Sequence, residues 1–390
     1  MTSTFLNCIL LSLLFQAESL SSPMTSHQKL LCVGISTLDT IATIDTFPTP
    51  DAKLRSTSLT HAGGGNAANT AFCIATLGVM GVDLVTSIGT DGHGDMMMKE
   101  LQDGGVGVHE TTVERYEGNS AWSYIMVMDA TRTIVHQPQT KELSLDFVKQ
   151  LKVENYRAAH FDVRHPEAAV FLSKECRDRG VHYSVDVERP REGLDEILEG
   201  ASVVICNSNY CDLVLGDDSK TMAEDIVVKR LRQVFQEQAP KAKFVVMTMG
   251  SRGSCLILLA QSEEDDDLSE EEEIILGNEG NGDECKNEAQ VIEKYGALWC
   301  KALKDCDVVD TTGAGDAFQG AFLTALWGHN MLETAKLVPT RKIILAHAMR
   351  IASTVAGRKV EKSGARDGIR RVDDDITISL FDALSQSVND

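Results

Sequence analysis

The sequence predicts an α/β protein: a three-layer α/β/α core around a mostly parallel sheet, with a small β-sheet lid set apart from it. Three observations lead there. Short apolar runs bounded by polar residues, the pattern of strands buried on both faces, recur along the chain. Helix-length stretches separate several of these runs, and such alternation favours parallel pairing with helices on both faces. Two further segments carry β-favouring residues without helical periodicity, which suits a smaller sheet closing over a cleft.

The first run, 30–36 (LLCVGIS), opens the core, and residues 42–60 form the first lid segment. A run at 83–88 follows, flanked by helices over 67–77 and 95–102. Residues 112–137, including Trp122-Ser123-Tyr124-Ile125-Met126-Val127-Met128, form the second lid segment. Runs at 158–163, 181–187, 202–206, 244–249 and 255–259 extend the sheet, with helices over 166–179 and 224–238. The stretch 261–297, acidic and rich in Gly and Asn, reads as a partly disordered insertion.

With 390 residues and 43% hydrophobic content, the chain can bury a large core. A formal net charge of −21 argues against general binding to nucleic acid or anionic membrane. Thirteen acidic residues and one Lys lie between 262 and 288, so more than half of that charge is one solvated run. The ten cysteines show no C-x-x-C spacing, and Cys32, Cys73, Cys206 and Cys255 fall inside apolar segments. Core thiols are therefore expected rather than a zinc site or a disulfide framework, with Cys300 and Cys306 open either to pairing or to remaining free.

Location is left with two readings. Residues 5–15 are mostly apolar and small residues follow, which suits a cleaved secretory or plastid-entry segment over 1–24. A cytoplasmic protein starting near Met24 is the other, since no Lys or Arg precedes Lys29.

The chemistry concentrates in a few strings. Residues 310–322 read DTTGAGDAFQGAF. Gly313, Ala314 and Gly315 precede a carboxylate, Asp316, and an apolar helical pattern, so the unprotected N–H groups of a helix N-terminus face whatever lies beside Asp316. An anion site with a base attached suits phosphoryl transfer to an alcohol. The plainer alternative is a tight turn whose acidic residue favours the helix dipole. A second glycine-rich turn, HAGGGNAANT over 61–70, also enters a helix. Gly65 permits close approach of a ligand, and Asn66 and Asn69 stand one turn apart. Alternatively Asn66 caps the helix and Asn69 is exposed. No Gly-Lys-Ser/Thr follows, so this is not a P-loop. Asp39 follows the first strand, where the C-terminal edge of a parallel sheet meets a ligand crevice, and its carboxylate can accept two hydroxyl hydrogen bonds unless it is a surface turn residue.

DTTGAGDAFQGAF resembles the C-terminal signature of the PfkB (ribokinase-like) carbohydrate kinases, and GGGNAAN the N-terminal one, in the family's order. The resemblance spans about residues 30–372 outside the acidic insertion. It implies one kinase domain over 25–385 with the ribokinase-like fold, Asp316 as catalytic base, and Gly313, Ala314 and Gly315 at the transferring phosphate. Stretches 32–48, 131–136 and 184–192 are further similar to the ketohexokinase branch. That similarity implies that Asp39, Gly65, Asn66 and Asn69 hold a sugar and that Arg132 approaches the phosphate, to which its fork of donors is suited. It also implies that Asp51 reaches the sugar of a second subunit in a homodimer built through the lid.

On the nucleotide side, the resemblance implies that Thr248, Gly250 and Gly253 lie beside the phosphates and ribose of ATP. Ala352, Ala356 and Gly357 would line its adenine slot, and Asn207 would help organise Mg2+ and phosphate. Tyr210 replaces a Glu common at that place in the family, so either the water shell of Mg2+ is arranged differently or the metal is held mainly by ATP, and no protein metal ligand is assigned. The implied activity is ATP-dependent phosphorylation of a hydroxymethyl group on a carbohydrate, a ketose such as fructose. The rival readings are ribose, a nucleoside or another small polyol as acceptor, and a non-catalytic sugar or nucleotide sensor, which would not need Asp316. An NAD-dependent oxidoreductase lacks its G-x-G-x-x-G after the first strand.

Overall fold

The computed structural model describes residues 28–128, 131–259, 289–304, 306–328 and 338–369; the expected targeting segment 1–24 and the acidic run 262–288 lie outside them. The described strands are β1 (Lys29–Val33), β2 (Thr37–Thr43), β3 (Ser58–Gly64), β4 (Gly81–Gly89), β5 (Val113–Tyr116), β6 (Trp122–Met128), β7 (Thr131–Gln137), β8 (Ala158–Phe161), β9 (His182–Val187), β10 (Val203–Asn207), β11 (Phe244–Thr248), β12 (Ser254–Leu258), β13 (Val291–Lys294) and β14 (Ala297–Cys300). The α-helices are α1 (Asn66–Leu77), α2 (Gly92–Asp103), α3 (Leu145–Val148), α4 (Pro166–Asp178), α5 (Leu194–Leu198), α6 (Ser208–Leu215), α7 (Glu224–Gln238), α8 (Ala314–Gly328) and α9 (Val338–Lys359).

Ten strands form the main sheet in the order β13-β14-β12-β11-β10-β9-β8-β1-β4-β5. From β11 to β5 every pairing is parallel, whereas β12, β14 and β13 close the other end as an antiparallel meander. Inner parallel strands such as β4, β10 and β11 are largely apolar because both of their faces are covered. One face packs on α1, α8 and α9 through residues such as Ile74, Phe322 and Met349. The other packs on α4, α6 and α7 through Leu172, Cys211 and Phe235. In α7 the buried positions Val227, Val228, Leu231 and Phe235 fall on one helical face. Fully burying a side chain the size of Phe235 contributes about 2–3 kcal/mol. Helix starts follow local chemistry: Asp91 accepts the Gly94 N–H at 2.9 Å to cap α2, and Pro166 occupies the first turn of α4, where no intrahelical N–H is needed.

The lid is a separate four-stranded sheet, β3-β2-β6-β7. Three boundaries differ from the sequence reading. The middle of the first lid segment is a loop, since Pro48 and Pro50 cannot donate to a ladder, and its strands extend outward to Thr37 and Gly64. Residues Val113–Tyr116 belong to the main sheet as β5, pairing with the end of β4 that runs past β1. Finally, residues 289–297 are not insertion: β13 and β14 form a hairpin whose turn residues Tyr295 and Gly296 both have positive φ, 57° and 67°, as a tight two-residue connection requires. Cys300 and Cys306 are not joined to each other by a disulfide.

Candidate active site

The C-terminal ends of β1, β8, β9, β10 and β11 converge on one edge of the main sheet, and the lid rises from the end of β1. Asp310 builds the anion turn there. Its carboxylate accepts the N–H of Thr312 and the N–H of Gly364, both at 2.9 Å. Burial alone would raise its pKa, but these donors hold it below the ordinary value. Gly313 adopts φ 74°, and a Cβ there would sit 2.5 Å from the Ala365 carbonyl oxygen, so the turn closes only with glycine. Helix α8 begins immediately after it. In its first turn the Ala314 N–H donates back to the Thr311 carbonyl at 3.2 Å and the Ala317 N–H to the Gly313 carbonyl at 2.8 Å, whereas the amides of Gly315 and Asp316 have no carbonyl inside the helix to bond and are available to an anion.

Asp316 lies in that first turn, half-buried, with Asn69 Nδ2 donating to its Oδ2 at 2.8 Å. Its pKa is pushed up to about 7, chiefly by desolvation. The Asn69 donor opposes the shift, the carboxylates of Glu188 and Asp162 add to it, and Arg164 opposes it. Asn69 is held in turn by Arg366, whose Nε donates to Asn69 Oδ1 at 3.0 Å and whose second arm donates to the Gly64 carbonyl at 3.1 Å. Arg366 is itself paired with Glu100 at 3.1 Å. The result is a relay, Glu100–Arg366–Asn69–Asp316, buried at its two central members, that orients the carboxylate.

Asn66 does not cap α1, and Asn69 is not exposed. Gly65 occupies the capping position at φ 93°, where a Cβ would meet the Ile35 carbonyl oxygen at 2.5 Å. Asn66 instead donates to Asp186 Oδ2 at 3.0 Å. Asp39 stands on β2 beside Gly64. Burial raises its pKa against hydrogen bonds from Ser123 and Thr37 and the nearby charges of Arg366 and His136. The residues expected on the sugar side, Asp39, Gly65, Asn66 and Asn69, are thus gathered with Asp316. Arg132, exposed on β7, donates to Thr312 Oγ1 at 2.5 Å and so reaches the anion turn. Asp51 sits exposed in the β2–β3 loop at φ 65°, outside this cluster.

A cavity of about 550 Å³ lies on the other side of the turn. Asn207, Thr248, Gly250 and Gly253 line it, as do Ala314, Gly315, Ala356 and Gly357. Ala352 does not: it is fully buried in the core between α9 and the sheet. The face that α9 turns to the cavity is Ser353, Ala356 and Gly357, continued by Val360 just past its end, at i, i+3, i+4 and i+7, and Ala352 is one step off that stripe. Asn207 caps α6, accepting the Tyr210 N–H at 2.9 Å. Tyr210 points into the core against Phe235, so the position where the family often has Glu contributes no carboxylate. Among the described residues, no group of three or more His, Cys, Asp or Glu could hold a metal.

Five side chains of the site had no assigned role in the sequence reading: Asp162, Asp186, Glu188, Arg164 and Arg366. Asp162 accepts the backbone N–H groups of Ile35 and Ala67, tying the end of β1 to the start of α1, and burial pushes its pKa up to about 6. Arg164 pairs with Glu188 at 2.7 Å. Asp162 and Asp186 both stand at C-terminal strand ends, the signal that drew attention to Asp39.

The model of the pfkB family carbohydrate kinases matches residues 27–265 and 285–371. The chain belongs to the PfkB family of carbohydrate kinases. It is therefore a phosphotransferase, a sugar kinase with the ribokinase-like fold, and the unmatched interval falls within the acidic run. Ketohexokinase of Mus musculus is 24% identical over 354 residues, covering 88% of this chain and 99% of that protein. An ATP-dependent ribose-1-phosphate kinase of Halopiger xanaduensis is 23% identical over 303 residues, covering 77% and 84%. Among solved structures, the ribokinase of Arabidopsis thaliana complexed with ribose and ATP is similar at TM-score 0.68 and 20% identity, covering 92% of this chain and 99% of that one.

Proposed function

We propose that this PfkB kinase transfers the γ-phosphoryl group of ATP to a primary hydroxyl of a ketose such as fructose, with Asp316 as general base. The observation that carries the reading is the setting of Asp316: at the head of the anion turn, between the cavity and the polar side chains around Asp39, and aimed by Asn69. A carboxylate with a pKa of about 7 is ionised in a large share of molecules at neutral pH and is basic enough to accept a hydroxyl proton in flight. ATP suits the cavity, whose small-residue wall on α9 admits a flat base. The α8 amides and Arg132 then face the charge of the moving phosphoryl group. Mg2+ carried on the nucleotide's phosphates would supply further charge neutralisation.

The similarity of stretches 32–48, 131–136 and 184–192 to ketohexokinase, and the 24% identity to the mouse enzyme, support a ketose. Similarity to ribokinases keeps ribose as the rival acceptor. ATP consumption by the purified protein against fructose, other ketoses, ribose and nucleosides decides between them. The highest kcat/KM is expected with a ketose; activity confined to ribose or nucleosides would overturn that choice. The reading extends to a homodimer through the lid, supported by the apolar side chains of Leu59, Ile134 and Val135 that its strands leave exposed. Sedimentation at micromolar concentration should give twice the chain mass, and a single-chain mass would remove the dimer.

A further inference from the structure

Lys359, the last residue of α9, has none of its surface exposed, a rare setting for an ammonium group. A buried charge must be compensated, and here backbone carbonyls do it. Lys359 Nζ donates to the Asp310 carbonyl at 2.9 Å and to the Lys362 carbonyl at 3.4 Å. The surroundings tie the same two segments together. The N–H groups of Val309 and Asp310 donate to the Val360 carbonyl at 2.8 and 3.0 Å. Asp310 Oδ2 accepts the Gly364 N–H, and Ala365 fills the space that a Cβ on Gly313 would need. The anion turn is therefore moulded against residues 359–365, and the ammonium sits in that seam.

We propose that Lys359 is a positioning residue for phosphoryl transfer: its ammonium clamps the Asp310 carbonyl, fixes the Gly313–Gly315 turn, and places a positive charge beneath it. The inference rests on the kinase reading above. Any buried donor could hold the carbonyl; the charge adds a field that favours the phosphoryl group's negative oxygens where first-turn amides already point. Burial lowers the pKa of Lys359, while the carboxylates of Asp310, Asp367 and Asp316 act to keep it charged. No step of transfer passes a proton through it.

Chemical rescue separates this role from simple packing. Lys359→Ala is expected to lower kcat roughly tenfold or more, with acceptor KM within about twofold of wild type, because the loss falls on a charge felt most in the transition state. Methylammonium or ethylammonium, small enough to enter the vacated space, should restore part of the turnover saturably, while tetraethylammonium at equal ionic strength should not. Turnover of Lys359→Ala close to wild type would overturn the proposal, and so would a loss that none of the small amines relieves. Should that variant not fold, Lys359→Gln keeps a donor to the Asp310 carbonyl without the charge. A comparable fall in kcat at unchanged melting temperature supports the proposal, and full turnover overturns it. Wild-type turnover in the same assay reports on the kinase reading itself, so failure of that reading is distinguishable from failure of this one.

Discussion

Replacing Asp316 by Asn is expected to lower kcat about a hundredfold or more while leaving affinity for ATP close to wild type. The substitution keeps the size of the side chain and leaves an oxygen to accept the Asn69 donor at 2.8 Å, so the local structure has little reason to move. What it removes is the capacity to take a proton. The cavity expected to hold the nucleotide is lined by Gly315 but not by the Asp316 side chain, and most of its wall, Thr248, Gly250, Ser353 and Ala356, belongs to other elements. Steady-state kinetics with the preferred sugar, paired with calorimetric titration of a non-hydrolysable ATP analogue, measures both quantities. Near-normal turnover would remove Asp316 from the mechanism.

A loss of the same order is expected from Gly313→Ala, for a different reason. At φ 74° an L-residue carries a left-handed conformational cost of about 1–2 kcal/mol. The added methyl would also have to sit 2.5 Å from the Ala365 carbonyl oxygen and 2.9 Å from its Cβ, so either the turn or the 364–366 segment must shift. A shift of the turn tilts the α8 amides off the phosphoryl oxygens, and losing one such donor costs roughly a hundredfold or more in turnover. Thermal unfolding should fall by several degrees at the same time, as the packed seam opens. Wild-type kcat in this variant would mean that the turn does not position the phosphate.

The sequence made the two glycine turns legible because each is a local constraint: small residues, a carboxylate or amides, then an apolar helix, all within a few positions. It also made the parallel sheet legible, since strands such as Phe244–Thr248 are buried on both faces and show it as a nearly unbroken apolar run. The relay behind Asp316 was not legible. Asn69 and Asp316 are 247 residues apart, Arg366 and Asn69 297, and no spacing rule connects such groups before the chain is folded. Asp186 shared the strand-end signal of Asp39, but only its bond from Asn66 gives it a place. Ala352 was misplaced because small residues on a helix announce close packing without saying which face is packed. The lid boundaries slipped where a strand pairs with two partners in succession, as β4 does with β1 and then β5.

The most direct test of Asp316 as the base is the pH dependence of kcat/KM, measured side by side for the wild type and Asp316→Asn. A base must be ionised, so with its pKa raised to about 7 the wild-type value should rise with pH through that point and fall about tenfold per unit below it. The variant, with nothing to ionise at position 316, should keep its low activity without that limb. An identical acidic limb in both proteins would contradict the assignment.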